Sequence, residues 1–93
     1  MDNIIYLEHR GYNPKNESGM SHKFYAMEKV KRGNYLVVRI TYGKIGKVGR
    51  VEEVTFGEDL TARGFIAKKT NEKFNKGYQR ANKLVSKLEE LFG

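Results

Sequence analysis

A chain of 93 residues, 39% apolar and carrying six Tyr and five Phe, fits one domain with one modest core and leaves nothing for a second. It has no cysteine, which excludes disulfides, a thiolate zinc site and a cysteine nucleophile, and which suits a reducing compartment, so a cytoplasmic location is expected. Its formal net charge of +7 favours an anionic partner.

The chain opens Met-Asp-Asn-Ile-Ile-Tyr-Leu-Glu, with an acid where a signal peptide carries bases and an apolar run far too short for a membrane span. Neither export nor a membrane partner is expected. Residues 3 to 9 alternate loosely as a strand, and Gly11, Asn13, Pro14, Asn16, Ser18 and Gly19 supply turn formers. A second β run, residues 22 to 31, ends at Gly33-Asn34, a pair suited to a hairpin turn. From Asn34 to Tyr42 the alternation is the clearest in the chain. Leu36, Val38, Ile40 and Tyr42 share one face and Tyr35, Val37, Arg39 and Thr41 the other, so Arg39 should look into solvent. Gly43, Gly46 and Gly49 punctuate the next turn, and residues 50 to 56 alternate again. These segments predict a four-stranded antiparallel meander.

After Gly57 the period changes. Glu58 and Asp59 suit the first turn of a helix, Ala62, Ile66, Thr70, Phe74 and Tyr78 recur every four residues, and Gly77 marks a stop. Ala81, Leu84, Val85, Leu88, Leu91 and Phe92 then form an apolar stripe that predicts a short C-terminal helix. The expected fold is therefore α+β: a sheet with one helix packed on a face, over residues 1–80, plus an amphipathic helix over residues 81–93.

Charge is concentrated in two blocks. Residues 29 to 50 hold Lys29, Lys31, Arg32, Arg39, Lys44, Lys47 and Arg50 and no acid; residues 61 to 87 hold eight bases against Glu72. The second block has a plain alternative, since lysine is a good helix former and a lysine-rich helix is often a solvated face. The first is harder to explain that way, because its bases alternate with aromatic residues on strands.

Catalytic chemistry finds few groups. His9 and His22 have no partner at metal-ligand spacing, the serines lie in no nucleophile pattern, and Glu52 and Glu53, adjacent on a strand, point to opposite faces. Neither an enzyme nor a cofactor or metal site is expected. The run Gly43-Lys44-Ile45-Gly46-Lys47-Val48-Gly49-Arg50 lacks the Gly-Lys-Ser/Thr end of a P-loop and the spacing of a dinucleotide fingerprint. It does form an acid-free turn in which backbone N–H groups and three cations can approach phosphates.

The order of features then becomes specific. Ser21-His22-Lys23-Phe24-Tyr25, a strand ending in Thr41-Tyr42-Gly43-Lys44-Ile45-Gly46, and a helix carrying Glu72-Lys73 and Gly77-Tyr78 together resemble the WGR domain over roughly residues 3 to 80. That family takes its name from a Trp-Gly-Arg tripeptide followed by a hydrophobic residue and a Gly-x-x-Gly turn. It occurs in DNA-dependent poly(ADP-ribose) polymerases, where it contacts strand breaks, and in small bacterial proteins. Here Tyr42 stands in the Trp position and Lys44 in the Arg position. In the polymerases the tryptophan packs against a sugar at the DNA end and the arginine bridges DNA and neighbouring domains. A phenol ring offers less stacking area than indole, and lysine keeps the charge without the planar fork, so the resemblance implies weaker contacts. Tyr42 equally suits a core position.

The resemblance implies a non-enzymatic module that binds DNA backbone at strand ends or nicks with little sequence preference. The expected contact residues are Tyr42, Gly43, Lys44, Lys47, Arg50 and Arg39, with Lys69, Lys73 and Lys76 from the helix. The charge pattern does not separate RNA from DNA. The alternative is an adaptor that docks a protein partner, or itself, through Leu84, Leu88 and Leu91.

Overall fold

The computed structural model of the chain describes residues 4–12 and 20–81. Among these residues five antiparallel strands, β1 (Ile4–Tyr12), β2 (Met20–Arg32), β3 (Tyr35–Lys44), β4 (Arg50–Phe56) and β5 (Gln79–Arg80), form one sheet in the order β4-β3-β2-β1-β5. The helix they include, α1 (Asp59–Asn75), lies on one face. The α+β class and the meander of the first four strands agree with the sequence reading. The fifth strand corrects it.

Register follows from the turn at Gly33-Asn34. Gly33 alone takes a positive φ, +61°, as a two-residue turn with glycine at its first central position requires. The turn fixes Arg32 opposite Tyr35, and every later β2–β3 pair follows from it, including Tyr25 with Tyr42 and Lys23 with Lys44. Across β3–β4, Tyr42 faces Arg50 and Val38 faces Val54.

Alternation then divides the sheet. Tyr25, Met27, Val38 and Ile40 are buried under α1 with Ala62, while Leu36, Tyr42, Val54, Phe56, Phe65, Ile66 and Tyr78 pack around them. Removing Met27 and Val38 fully from water contributes about 1.5–3 kcal/mol each. On the opposite face Tyr6 stacks on Phe24 with ring centroids 6.1 Å apart. Glu8, also buried there, accepts hydrogen bonds from the Tyr6 hydroxyl at 2.9 Å and Arg10 Nε at 3.1 Å. Those bonds are what make a buried carboxylate tolerable.

The helix departs in detail from the four-residue repeat. At 3.6 residues per turn a spacing of four drifts by about 40° per step, so three steps carry Phe74 about 120° away from Ala62. Ala62 and Thr70 are buried and Phe74 is exposed. The buried Thr70 hydroxyl is satisfied by donating to the Ile66 carbonyl at 2.7 Å. Phe65 instead meets Phe56, with centroids 5.2 Å apart.

The stop at Gly77 is a Schellman motif. Gly77 N–H bonds the Phe74 carbonyl and Tyr78 N–H the Lys73 carbonyl, each at 3.0 Å, with Gly77 at φ +96°. The chain turns back along β1, where Arg80 pairs with Leu7 and Ala81 N–H bonds the Tyr6 carbonyl. β5 is only two residues long, too short to register as an alternating run. The C-terminal helix expected from Leu84, Leu88 and Leu91 lies outside the described residues, as does the turn-rich stretch 13–19.

Candidate nucleic-acid interface

The β3–β4 hairpin closes because two glycines let its backbones touch. A Cβ at Gly43 would lie 2.9 Å from the Gly49 Cα; one at Gly49 would lie 2.6 Å from the Tyr42 carbonyl oxygen and 2.9 Å from the Phe24 ring. Gly49 also sits at φ +81°, which side-chain-bearing residues rarely adopt. Beyond this pinch Ile45 N–H bonds the His22 carbonyl and Lys47 N–H the Lys44 carbonyl, both at 3.0 Å, so the tip is held by main-chain bonds.

Tyr42 occupies the helix-side face at the base of this hairpin. It is half-buried, its ring 6.2 Å from that of Tyr25, and its hydroxyl donates to Glu52 Oε1 at 3.0 Å. The ring thus packs on the edge of the core and is only partly covered. Arg50 lies opposite Tyr42 on β4, and Lys44, the last residue of β3, lies opposite Lys23 on β2. By alternation these side chains share the helix-side face. Lys47 is exposed in the turn.

The last turns of α1 arrive at the same end. The Lys73 ammonium sits 4.4 Å from the Tyr25 ring centroid and 5.4 Å from that of Tyr78, two cation–π contacts worth about 0.5–2 kcal/mol each. Burial pushes this ammonium below its ordinary value, and the charges of Lys76 and Lys69 push it further, Glu72 opposes them, and Lys23 adds a smaller push. Lys73 thus lies in the field of Lys76, Lys69 and Lys23. The Tyr25 phenol is raised by burial first and then by Glu52 and Glu72; burial alone raises Tyr78. His9 completes the aromatic wall, 5.4 Å from Tyr78.

Of the residues singled out in the sequence, Tyr42, Gly43, Lys44, Lys47 and Arg50 belong to this hairpin, and Lys73, with Lys76 acting on its charge, reaches the neighbouring Tyr25 from α1; Lys69 turns instead to the Phe65 ring and Glu72. Arg39 lies on the opposite face and binds Glu53 at 3.2 Å, where Arg32 also donates at 2.8 and 3.1 Å. Lys23 was missed, although the Gly33-Asn34 turn already implied its pairing with Lys44.

Ion pairing divides the cations, and Lys31, Lys68 and Arg80 away from the hairpin also have no carboxylate partner among the described residues. Lys29 pairs with Asp59, Arg63 approaches the same carboxylate at 3.9 Å, and Lys69 meets Glu72 at 3.5 Å. Lys23, Lys44, Lys47, Arg50, Lys73 and Lys76 have no carboxylate partner among the described residues. Chemically the cluster can hold anionic oxygens as point charges beside a half-open aromatic ring. Among the described residues no three His, Cys, Asp or Glu side chains gather as a metal site.

A family model described as the WGR domain matches residues 10–85. No curated protein and no solved structure matches the chain.

Proposed function

Because the chain belongs to the WGR domain family, a family of non-catalytic nucleic-acid-binding modules, we propose that it binds DNA backbone at strand ends or nicks with little sequence preference. The observation that carries this reading is that Lys23, Lys44 and Arg50 share one face with the half-open Tyr42, Lys47 lies in the adjoining turn and Lys73, near Lys76, lies over the neighbouring Tyr25, none of these cations having a carboxylate partner among the described residues. Phosphate contacts of this kind position a protein without reading bases. Lysine predominates over arginine here, so the contacts are point charges and not bidentate forks.

Fluorescence anisotropy against blunt, nicked, closed circular and single-stranded DNA, with a duplex RNA of matched length, tests the proposal. Binding to ended or nicked DNA at low salt, weakened at least tenfold by the double variant Lys23→Glu with Lys44→Glu, is the expected result, of about the size that lost charge-assisted contacts produce. No binding to any DNA at low salt overturns it, and tighter binding to RNA reassigns the ligand.

A second reading, a protein-docking adaptor, is favoured by an open groove along α1 where Leu60 and Phe74 are exposed beside Ile5 and Ala67. Protein capture that survives high salt, is lost on Phe74→Ser and is retained on Lys44→Glu would support it.

A further inference from the structure

We propose that the C-terminal segment, residues 82–93, folds back on α1 of its own chain and closes the groove that Leu60 and Phe74 line, with Leu84, Leu88 and Leu91 making the contact. The inference goes beyond the DNA-backbone reading and does not rest on it.

The core uses only one face of α1. A second face, made by Leu60, Gly64, Ala67, Asn71 and Phe74, lines an open groove. Ile5 and Arg80 line the same groove from the first and last strands of the chain. Along α1 the five positions are spaced alternately four and three apart, which at 3.6 residues per turn keeps them on one line. Isolated exposed apolar residues are ordinary on a protein surface. Leu60, 75% exposed, and Phe74, 40% exposed, differ in being the two ends of one continuous seam. A seam of this spacing is the surface on which a second helix packs.

The course of the chain after β5 identifies the occupant. β5 runs antiparallel to β1, with Gln79 opposite Glu8 and Arg80 opposite Leu7, and Ala81 N–H bonds the Tyr6 carbonyl. The chain therefore leaves Ala81 in the direction of Ile5. α1 runs the other way. Its first turn is tied through Asp59 to Lys29, next to the Ile4–Glu28 pair, and Lys73 in its last turn lies over Tyr25, the partner of Leu7. Residue 82 thus sets out from the Phe74 end of the groove toward the Leu60 end.

Length, pattern and charge agree with this course. Wound as a helix, residues 82–93 extend about 18 Å, against about 21 Å from Leu60 to Phe74. Leu84, Leu88 and Leu91 repeat the spacing of four and three, with Val85 and Phe92 beside them. The antiparallel order brings Glu89 and Glu90 toward the end of the groove lined by Lys29 and Arg63, where Arg63 is 68% exposed and meets Asp59 only at 3.9 Å. A tethered segment also has the advantage of a high effective concentration over any free partner. A protein that docks in this groove has to displace it.

Isotope-filtered NMR of the full chain, on a sample mixing labelled and unlabelled protein, tests the inference and needs no DNA. The Leu88 and Leu91 methyl groups should show cross-peaks, within one molecule, to the Leu60 and Ala67 methyl groups and the Phe74 ring. Leu88→Asp should abolish them and shift the Leu60 and Ala67 methyl resonances, while those of Met27 and Val38 in the core stay in place; Leu88→Ala should shift the same two signals by less. Absence of these cross-peaks in the wild type, or Leu60 and Ala67 signals that do not move in Leu88→Asp, overturns the inference. Cross-peaks found only between different molecules overturn it as well, and assign the groove to a second copy of the chain.

Discussion

Gly49 and Gly64 show how differently one residue type can act within this chain. At Gly49 a methyl group meets the Tyr42 carbonyl oxygen at 2.6 Å and the Phe24 ring at 2.9 Å, with φ at +81°. Gly49→Ala should therefore lower stability by about 2–4 kcal/mol, combining backbone strain with displacement of a packed ring. At Gly64, inside α1, an added methyl meets nothing within 4 Å. Gly64→Ala should raise stability by about 0.5–1 kcal/mol. Urea unfolding of the two variants against wild type checks both signs, and equal effects would contradict the packing described. The glycine-spaced turn was visible in the sequence, but the contact between Gly43 and Gly49 was not. Nothing in a one-dimensional spacing says which glycine faces a neighbouring backbone.

Carboxylates at the edges of elements set how the fold responds to acid. Glu53 is held below its ordinary value of 4.5 by hydrogen bonds from Arg32 and Arg39, and Asp59 below 3.8 by its bond from Lys29, which ties the start of α1 to β2. In both cases the folded state binds its proton less readily than the unfolded one. The stability they contribute is present above their ordinary values and is lost as pH falls through the lowered ones. Melting temperature should thus decline below about pH 4.5. In the double variant Glu53→Gln with Asp59→Asn it should start lower at pH 7 and fall less steeply on acidification; parallel declines would show that neither pair matters. The far end of α1 carries another prediction. Gly77 lies at φ +96°, and an added Cβ would come within 3.2 Å of the His9 ring. Gly77→Ala should cost about 1–2 kcal/mol and raise amide exchange at Ala81, whose N–H bonds the Tyr6 carbonyl across the β5–β1 pairing. At this scale the sequence was legible wherever a period or a turn set geometry. The four long strands, the Gly33-Asn34 turn and the stop at Gly77 could all be read. What escaped was β5, positioned by the Schellman turn, and the helical drift that replaces Phe74 with Lys69 and Lys73 on the face below Ala62.

Across the whole molecule, the net charge of +7 conceals differences in pairing that only register and packing expose. Arg32, Arg39, Lys29 and Arg63 share Glu53 and Asp59, whereas Lys23, Lys44, Lys47, Arg50, Lys73 and Lys76 are left without such partners among the described residues, as are Lys31, Lys68 and Arg80. The acid-free stretch from 29 to 50 is therefore two surfaces: Arg39 faces away from Lys44 although five positions separate them in the chain. This has a consequence measurable by salt. If about five phosphates are contacted, the logarithm of the DNA association constant should fall against the logarithm of salt with a slope of roughly −4 to −5. Each cation removed from the interface should make that slope shallower by about 0.9 and weaken binding alike for every sequence. Lys44→Ala and Lys76→Ala should do so. Arg39→Ala should not, because its charge is taken up by Glu53 on the other face; its effect should appear as a small loss of stability, as for an exposed pairing. Anisotropy titrations of the three variants at several salt concentrations compare these slopes directly. A shallower slope for Arg39→Ala, with Lys44→Ala unchanged, would move the interface to the opposite face of the sheet.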